Sequence, residues 1–438
     1  MSFLIDRPKS ERYAEGKARR KITPRAALGA FSPPDRDPLA LLARSNEGRI
    51  TSLIGERRTR MSKNPFGFLR GAACLMATDL APAVKPGLEV QACGDAHLMN
   101  FGAFLSPEGQ ILFDVNDFDE TLPGVDFTVD VKRLAASVAV AARHKERHTP
   151  RDARTLAESA AASYRQTMFA LAGMSPLDAW LARTPLDTVI GDLAERAIGA
   201  NVRAAEAGVS VADDFPTLEP PVIGRRIADR NTTVFHFDES DDPLAHADID
   251  YILAQTRSRL SPGAAKLLRR YEKCDAAFRA AGVGSVGTFC AIALFRTQDP
   301  TDAPLFLQIK EARTSVLEAL APAWPQRQGE RVAQGQTVMQ GAGDPFLCAA
   351  RESGRDFYVR LLRTRRLNGV ADILEKRALP DYARLCGRTL ARAHARSADP
   401  VVLAGYMGKS DAFERALGAF AMAYERQNLA DYEAFVAG

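Results

Sequence analysis

The segment GDAHLMNFG places Asp95, His97 and Asn100 on one short loop, and Asp117 follows in NDFDE. Phosphoryl transfer to a hydroxyl needs these groups. One carboxylate positions or deprotonates the acceptor, while an amide oxygen and a second carboxylate hold the magnesium ions that neutralise a polyphosphate. Asp95 and Asn100 are five apart, the D-x-x-x-x-N spacing of a kinase catalytic loop. On this reading Asp95 positions the acceptor hydroxyl, and Asn100 and Asp117 ligate magnesium. Asp and Asn also stabilise turns, so the spacing gains its weight from the acidic strand end that follows. Asp117-Phe118-Asp119 resembles the D-F-G triplet with Asp in third place. Asp114 is a rival ligand. On an unbroken strand positions 114 and 117 face opposite sides, and Asp117 is preferred because it follows an apolar strand at the loop mouth. No second His or Cys lies at ligand spacing from His97, which is read as shaping the loop or touching a phosphate. Asp130, opening the helix VDVKRLAAS, has two compatible readings: a helix N-terminal carboxylate, or a buried anchor for the backbone of the loop.

A second group lies far down the chain. GVGSVG carries Gly282, Gly284 and Gly287, with Ser285 between them. Alone, GxGxxG is a weak signal, and a dinucleotide site would need a full helix directly after it. TFCAIALFR is instead rich in strand formers and meets a Pro-Asp turn after nine residues. The next strand, LFLQIKEA, presents Lys310 in an I-K context. A glycine-rich hairpin over a nucleotide, followed by a lysine on the adjoining strand, is the kinase arrangement for ATP phosphates. Glu330, at the start of the helix GERVAQGQTVMQ, is the preferred partner of that lysine, and Glu318 its competitor. No GxxxxGK[ST], GxSxG or HExxH motif is present.

The order of the two groups is the reverse of an ordinary kinase, in which the glycine loop and lysine come first. Either the matches are accidental or the chain is circularly permuted, a change that exposed connections tolerate. The helix YARLCGRTLARAHARS supports permutation, because in aminoglycoside-phosphotransferase-like kinases a helix ending L-A-x-x-H directly precedes the catalytic loop. His394 itself is read as a helix-end packing residue. The expected fold is α+β and bilobal, protein-kinase-like and permuted, with a helix-rich large lobe and a small antiparallel-sheet lobe. The expected divisions are an N-terminal arm over 1–63 and a catalytic lobe over 64–281, mainly helical after 150. A nucleotide-binding sheet lobe follows over 282–363, and helices over 364–438 complete the large lobe. Within the catalytic lobe, strands flank the GDAHLMNFG loop, SPEGQ turns a hairpin, and VDVKRLAASVAVAARHKER forms an amphipathic helix.

Composition sets outer bounds. The chain has 438 residues, of which 46% are hydrophobic and 26% charged, so it can bury a large core and is neither disordered nor collagen-like. Its 58 basic and 54 acidic residues give a net charge of +4, which implies no polyanion-binding tail. No nucleic-acid partner is expected. The six cysteines are scattered without a CxxC pair, which fits reduced thiols rather than a zinc ribbon. With no signal-peptide core and no long apolar run, the expected setting is the cytoplasm, without membrane attachment.

FGFLRGAA, CGDAHLMNFG, NDFDET, DVKRLAAS, GVGSVGT, LFLQIKEA, GRDFYVR and LARAHARS, in that order, resemble the bacterial domain-of-unknown-function 2252 family. The resemblance covers roughly residues 40–435. It implies a protein-kinase-like fold and names no substrate. Arg70 falls within the family pattern, as a contact for a phosphate or acidic substrate or as a structural salt bridge. The function expected is an ATP- and magnesium-dependent phosphotransferase acting on a small-molecule or protein acceptor. Transfer of AMP on the same fold and a nucleotide-binding pseudokinase scaffold are the alternatives.

Overall fold

The structure, a computed structural model, describes residues 7–144, 148–185, 220–230, 233–236, 242–280, 282–362, 364–365 and 379–438. Its helical part is organised around the helix Thr128–Arg143. Every residue from Thr128 to Ala142 is buried, which accounts for the run AASVAVAA: small side chains let neighbouring helices close in on all sides. Helices Pro150–Gly173, Leu379–Ala395 and Ala412–Ala437 pack around it and around one another. Pro150–Gly173 starts at a capping box formed by Thr149 and Asp152, which satisfies two otherwise orphaned N–H groups.

The strands form two main groups. Strands β1 (Glu89–Ala92), β2 (Phe101–Leu105), β3 (Ile111–Val115) and β4 (Leu122–Asp126) carry the first set of polar residues. β2 and β3 pair as the expected antiparallel hairpin, and β1 pairs with β4. The two-residue strands β5 (Val222–Ile223) and β6 (Arg226–Ile227) pair with each other. The second group is a six-stranded antiparallel sheet. It contains β7 (Val234–Phe235), β8 (Glu272–Arg279), β9 (Cys290–Arg296), β10 (Leu305–Glu311), β11 (Cys348–Glu352) and β12 (Arg355–Leu361), in the order β11-β12-β10-β9-β8-β7. GVGSVG is thus the connection of the β8–β9 hairpin, and β9 is a strand, as TFCAIALFR predicts.

Three expectations change. The sheet does not begin at residue 282: β8, placed in a mainly helical stretch, is its inner strand and pairs with β9 from Glu272↔Arg296 to Phe278↔Ala291. Its side chains are mostly half-buried, and it becomes a strand through its partner rather than its own pattern. Helices Ile249–Arg259 and Pro262–Leu268, expected in the helical lobe, contribute Ile252, Leu253, Ala264 and Leu268 to the apolar cluster of the sheet, with Phe278, Phe289 and Phe357. The N-terminal 63 residues are not a separate arm. Helix Lys9–Ile22 lies along Pro400–Met407 and is tied by the Arg12–Asp399 ion pair of 2.6 Å, while Ile50 and Leu53 join the sheet's core. Among the described residues no helix is long and apolar enough to cross a membrane.

Candidate functional site

The loop between β1 and β2 is held by the helix beneath it. Asp130, fully buried in the first turn of Thr128–Arg143, accepts hydrogen bonds from the backbone N–H of Cys93 (2.6 Å) and of Gly94 (2.9 Å). Asp130 thus sits in the helix's first turn and also anchors the loop backbone. Ser137 Oγ, about two turns further along the same face of the helix, accepts from Leu98 N–H at 3.1 Å. Gly94 has a φ of +84°, and a Cβ there would come within 2.4 Å of the Glu120 carbonyl oxygen. Only glycine fits this turn.

Sequence reasoning missed two partners of this loop. His394, on Leu379–Ala395, is fully buried, with Nε2 3.0 Å from Asp130 Oδ2 and Nδ1 2.8 Å from the Tyr164 hydroxyl. It is therefore more than a helix-end packing residue, and the L-A-x-x-H pattern was the available signal. Arg133 donates from Nε (2.9 Å) and Nη2 (2.7 Å) to Asp95 Oδ1, and from Nη2 to the Leu69 carbonyl. In an Ala-rich helix an arginine reads as a solvated side chain, yet this one is buried.

Asp95 is left with Oδ2, which lies 3.5 Å from His97 Nε2. Burial pushes the Asp95 carboxyl above its ordinary value, with Asp117 adding to the push and Arg133 and Arg70 opposing it. His97 is driven well below its ordinary value by burial and by Arg70 and Arg133, so its ring is neutral. Asn100 is engaged with backbone. Its Nδ2 donates to the carbonyls of Asp95 (2.9 Å) and Asp117 (3.1 Å), and its Oδ1 accepts from Asp117 N–H at 2.7 Å. It locks the loop to NDFDE and has one lone pair of Oδ1 left for a ligand.

NDFDE is also where the six-stranded sheet meets the helical part. Lys310 Nζ sits 2.5 Å from Asp119 Oδ2 and 3.5 Å from Asp117 Oδ1, and Tyr358 donates to Asp119 Oδ1 at 2.7 Å. Arg360 donates to the Asn116 carbonyl at 2.9 Å. Fully buried Arg331 donates to the carbonyls of Asp119 and Arg313, at 2.8 and 2.7 Å, and to that of Thr121. Burial opposes the charge on Lys310, but Asp117 and Asp119 outweigh it and hold the ammonium well above its ordinary value. For Asp117 burial is likewise outweighed by Lys310 and Arg360, and its carboxyl lies below the ordinary 3.8. Its side chain is 46% exposed, into the cleft. Asp114 points elsewhere: buried, it accepts from Gly341 N–H (2.7 Å) and Val115 N–H (2.9 Å).

The lysine partner is a correction. Neither expected glutamate reaches Lys310, whose carboxylates are Asp117 and Asp119. Helix Gln328–Met339 does start at the expected place, but its inward side chain is Arg331, the next residue after Glu330. A step of one residue turns a helix by about 100°, so Glu330 faces away. Glu318 accepts from Gln328 Nε2 at 3.1 Å.

The Asp95 loop, NDFDE and Lys310 open on one cleft of 860 Å³ between sheet and helices. It is lined by Arg70, Asp95, His97, Asn100, Asp117 and Lys310, and by Gly282, Gly284 and Ser285 of the β8–β9 turn. Gly282 and Gly287 have φ of +70° and +90°. Gly287 turns its back to the cleft, its carbonyl accepting from Ile50 N–H at 2.7 Å. Among the described residues no cluster of three or more His, Cys, Asp or Glu is arranged as a protein-only metal site. The donor set fits a magnesium ion shared with phosphates, which asks one or two carboxylates of the protein. Asp117 is ionised and accessible, with Asn100 Oδ1 beside it.

No curated protein and no solved structure matches the chain. Residues 49–438 match the family described as "Uncharacterized protein conserved in bacteria (DUF2252)". With nearly the whole chain covered, including every residue of the cleft named above, this protein belongs to the bacterial DUF2252 family.

Proposed function

We propose that this protein is an ATP- and magnesium-dependent phosphotransferase built on a circularly permuted kinase-like arrangement. The observation that carries the reading is the convergence at Lys310. A lysine on β10, two aspartates about 190 residues earlier, the turn of a glycine-rich hairpin and the Asp95 loop share one cleft. Permutation is supported by the placement of Leu379–Ala395, whose His394 braces the Asp95 loop from the far end of the chain. ATP phosphates would lie between the glycine turn and Lys310, with magnesium held by Asp117 and Asn100. When bound, the metal neutralises charge on the polyphosphate.

The chain's own residues then have defined tasks. Arg133 fixes Asp95 through Oδ1 and leaves Oδ2 toward the cleft. A carboxyl raised by burial is a better proton acceptor than an ordinary one. Asp95 takes the proton of the acceptor hydroxyl as its oxygen bonds to the γ-phosphorus. The bond from that phosphorus to the β–γ bridging oxygen breaks, and ADP departs. Neutral His97 borders Asp95 without adding a charge.

The test is transfer of labelled phosphate from ATP by wild type, Asp95→Asn and Asp117→Asn. Asn is chosen at 95 because Ala would strip a partner from buried Arg133. Both variants are expected to fold and to lose transfer by at least about a hundredfold, the scale of a removed general base. Wild-type turnover in either would overturn the assignment, and a product heavier by AMP would replace phosphoryl with nucleotidyl transfer.

A further inference from the structure

Arg49, Arg57 and Arg313 of the cleft have no described carboxylate partner, but each donates to a carbonyl or amide oxygen, whereas among the described residues the Arg70 side chain finds no such acceptor. Arg133 is matched by Asp95, Lys310 by Asp117 and Asp119, and Arg60 by Glu56 at 2.7 Å. Arg70 forms no ion pair with a described carboxylate, and its Nε is buried with no hydrogen-bond partner. Burial bears against its charge, while Asp95 and Asp117 favour it from a distance. A guanidinium remains protonated even so. Its buried, unpaired Nε is costly, and no hydrogen bond or ion pair with a described residue offsets that cost.

The position of Arg70 says what would repay it. Beside the main cleft lies a second cavity of 300 Å³, and the two share Arg60, Arg70, Met99 and Val283. The second cavity is lined by neither Lys310 nor Asp117, and it meets the glycine turn only at Val283. Its cations are Arg60, Lys63 and Arg70, its apolar wall includes Phe66 and Met99, and no Asp or Glu lines it. The volume suits a small organic molecule. Asp95, which must receive the acceptor hydroxyl, lines the main cleft and not the side cavity.

We infer that the phosphoryl acceptor is itself a small anion. It is a hydroxyl compound bearing a phosphate or carboxylate, which Arg70 and Lys63 hold in the side cavity while the hydroxyl reaches Asp95. The inference rests on the phosphotransferase reading and adds the class of substrate. Arginine suits the task because its planar fork meets an oxyanion with two parallel hydrogen bonds. A neutral or cationic acceptor, such as an aminoglycoside, would leave Arg70 unanswered and be repelled by its neighbours.

The experiment saturates the protein with magnesium and the β,γ-imido analogue of ATP. It then titrates inorganic phosphate, acetate and 6-phosphogluconate, with melting temperature and calorimetry as readouts. Wild type should bind phosphate or 6-phosphogluconate on top of the analogue, and Arg70→Gln should weaken that binding roughly 10- to 100-fold. Arg70→Lys should restore part of it, and Lys63→Gln should give a smaller loss. Binding of acetate in place of phosphate would assign a carboxylate as the anion. Failure of every anion to bind the loaded wild type would overturn the inference, as would unchanged affinity in Arg70→Gln. Competition between phosphate and the analogue would also overturn it, by assigning Arg70 to the nucleotide. If the analogue does not bind but phosphate does, with the same dependence on Arg70, the anion site stands and the phosphotransferase reading falls.

Discussion

Replacing Asp130 tests how the Asp95 loop is held. Its carboxyl oxygens accept from two backbone donors, Cys93 N–H and Gly94 N–H, in a place without solvent access. Asp130→Ala leaves both donors buried and unpaired. Each such orphan costs about 1–3 kcal/mol, so the variant should lose at least about 2–6 kcal/mol of stability, to which the lost contact of His394 Nε2 with Oδ2 adds. Asp130→Asn retains one acceptor oxygen and turns an NH2 toward the other donor, so one orphan remains and the loss should be about 1–3 kcal/mol. The assay is urea unfolding of wild type and both variants, with hydrogen exchange read at the amides of Cys93 and Gly94. Exchange should accelerate at both amides in the Ala variant and mainly at one in the Asn variant. Cys93→Ala, which changes a side chain but leaves both amides paired, should leave exchange at Gly94 close to wild type. Equal stability of all the proteins within about 0.5 kcal/mol, with unchanged exchange at the two amides, would refute the anchoring role.

Two predictions concern charge. The folded-state carboxyl of Asp117 lies below 3.8, so its pairing stabilises the protein above about pH 4, and that share is lost as pH falls through the lower folded value. Lys310, raised above 10.5, contributes below that pH and loses its share as pH rises through its folded value. The stability gap between wild type and Lys310→Met should therefore be widest between about pH 4 and 10.5 and narrow below pH 4; a gap constant down to pH 3 would contradict the pairing. His97, held well below 6.5, should show no imidazole titration between about pH 6.5 and 8 by proton NMR. Because the unfolded chain takes up a proton there that the folded chain refuses, His97 should lower stability as pH falls below 6.5. A midpoint near 6.5 in the folded protein would show that the ring is not shielded as described.

Local signals in the sequence reached as far as local structure does. The β2–β3 hairpin around SPEGQ, the helix beginning near Asp130 and the strand carrying Lys310 each follow from a turn, a cap or an apolar period within some ten residues. The separation of the two aspartates was legible too: Asp117, past the end of β3, lines the cleft, whereas Asp114 on the strand accepts from Gly341 N–H. What stayed hidden depends on partners distant in the chain. β8 is half-buried and charged, and only its pairing with β9 makes it an inner strand. Arg133 and His394 look unremarkable until folding brings them to Asp95 and Asp130. The Glu330 expectation failed on rotation alone: the helix was located correctly, but spacing along a chain does not fix which of two neighbours turns inward.

The brace on the Asp95 loop also has a place in time. Asp130 and the loop are synthesised well before His394. About 300 residues separate Asp95 from His394, and at roughly 5–20 residues per second that is an interval of about 15–60 s. Throughout it the nascent chain carries its proton acceptor and Asp117 without the histidine that buttresses their anchor. It also lacks, for most of that interval, the lysine that neutralises Asp117. A chain laid out in this order withholds its assembled site until the helix that carries His394 has been made.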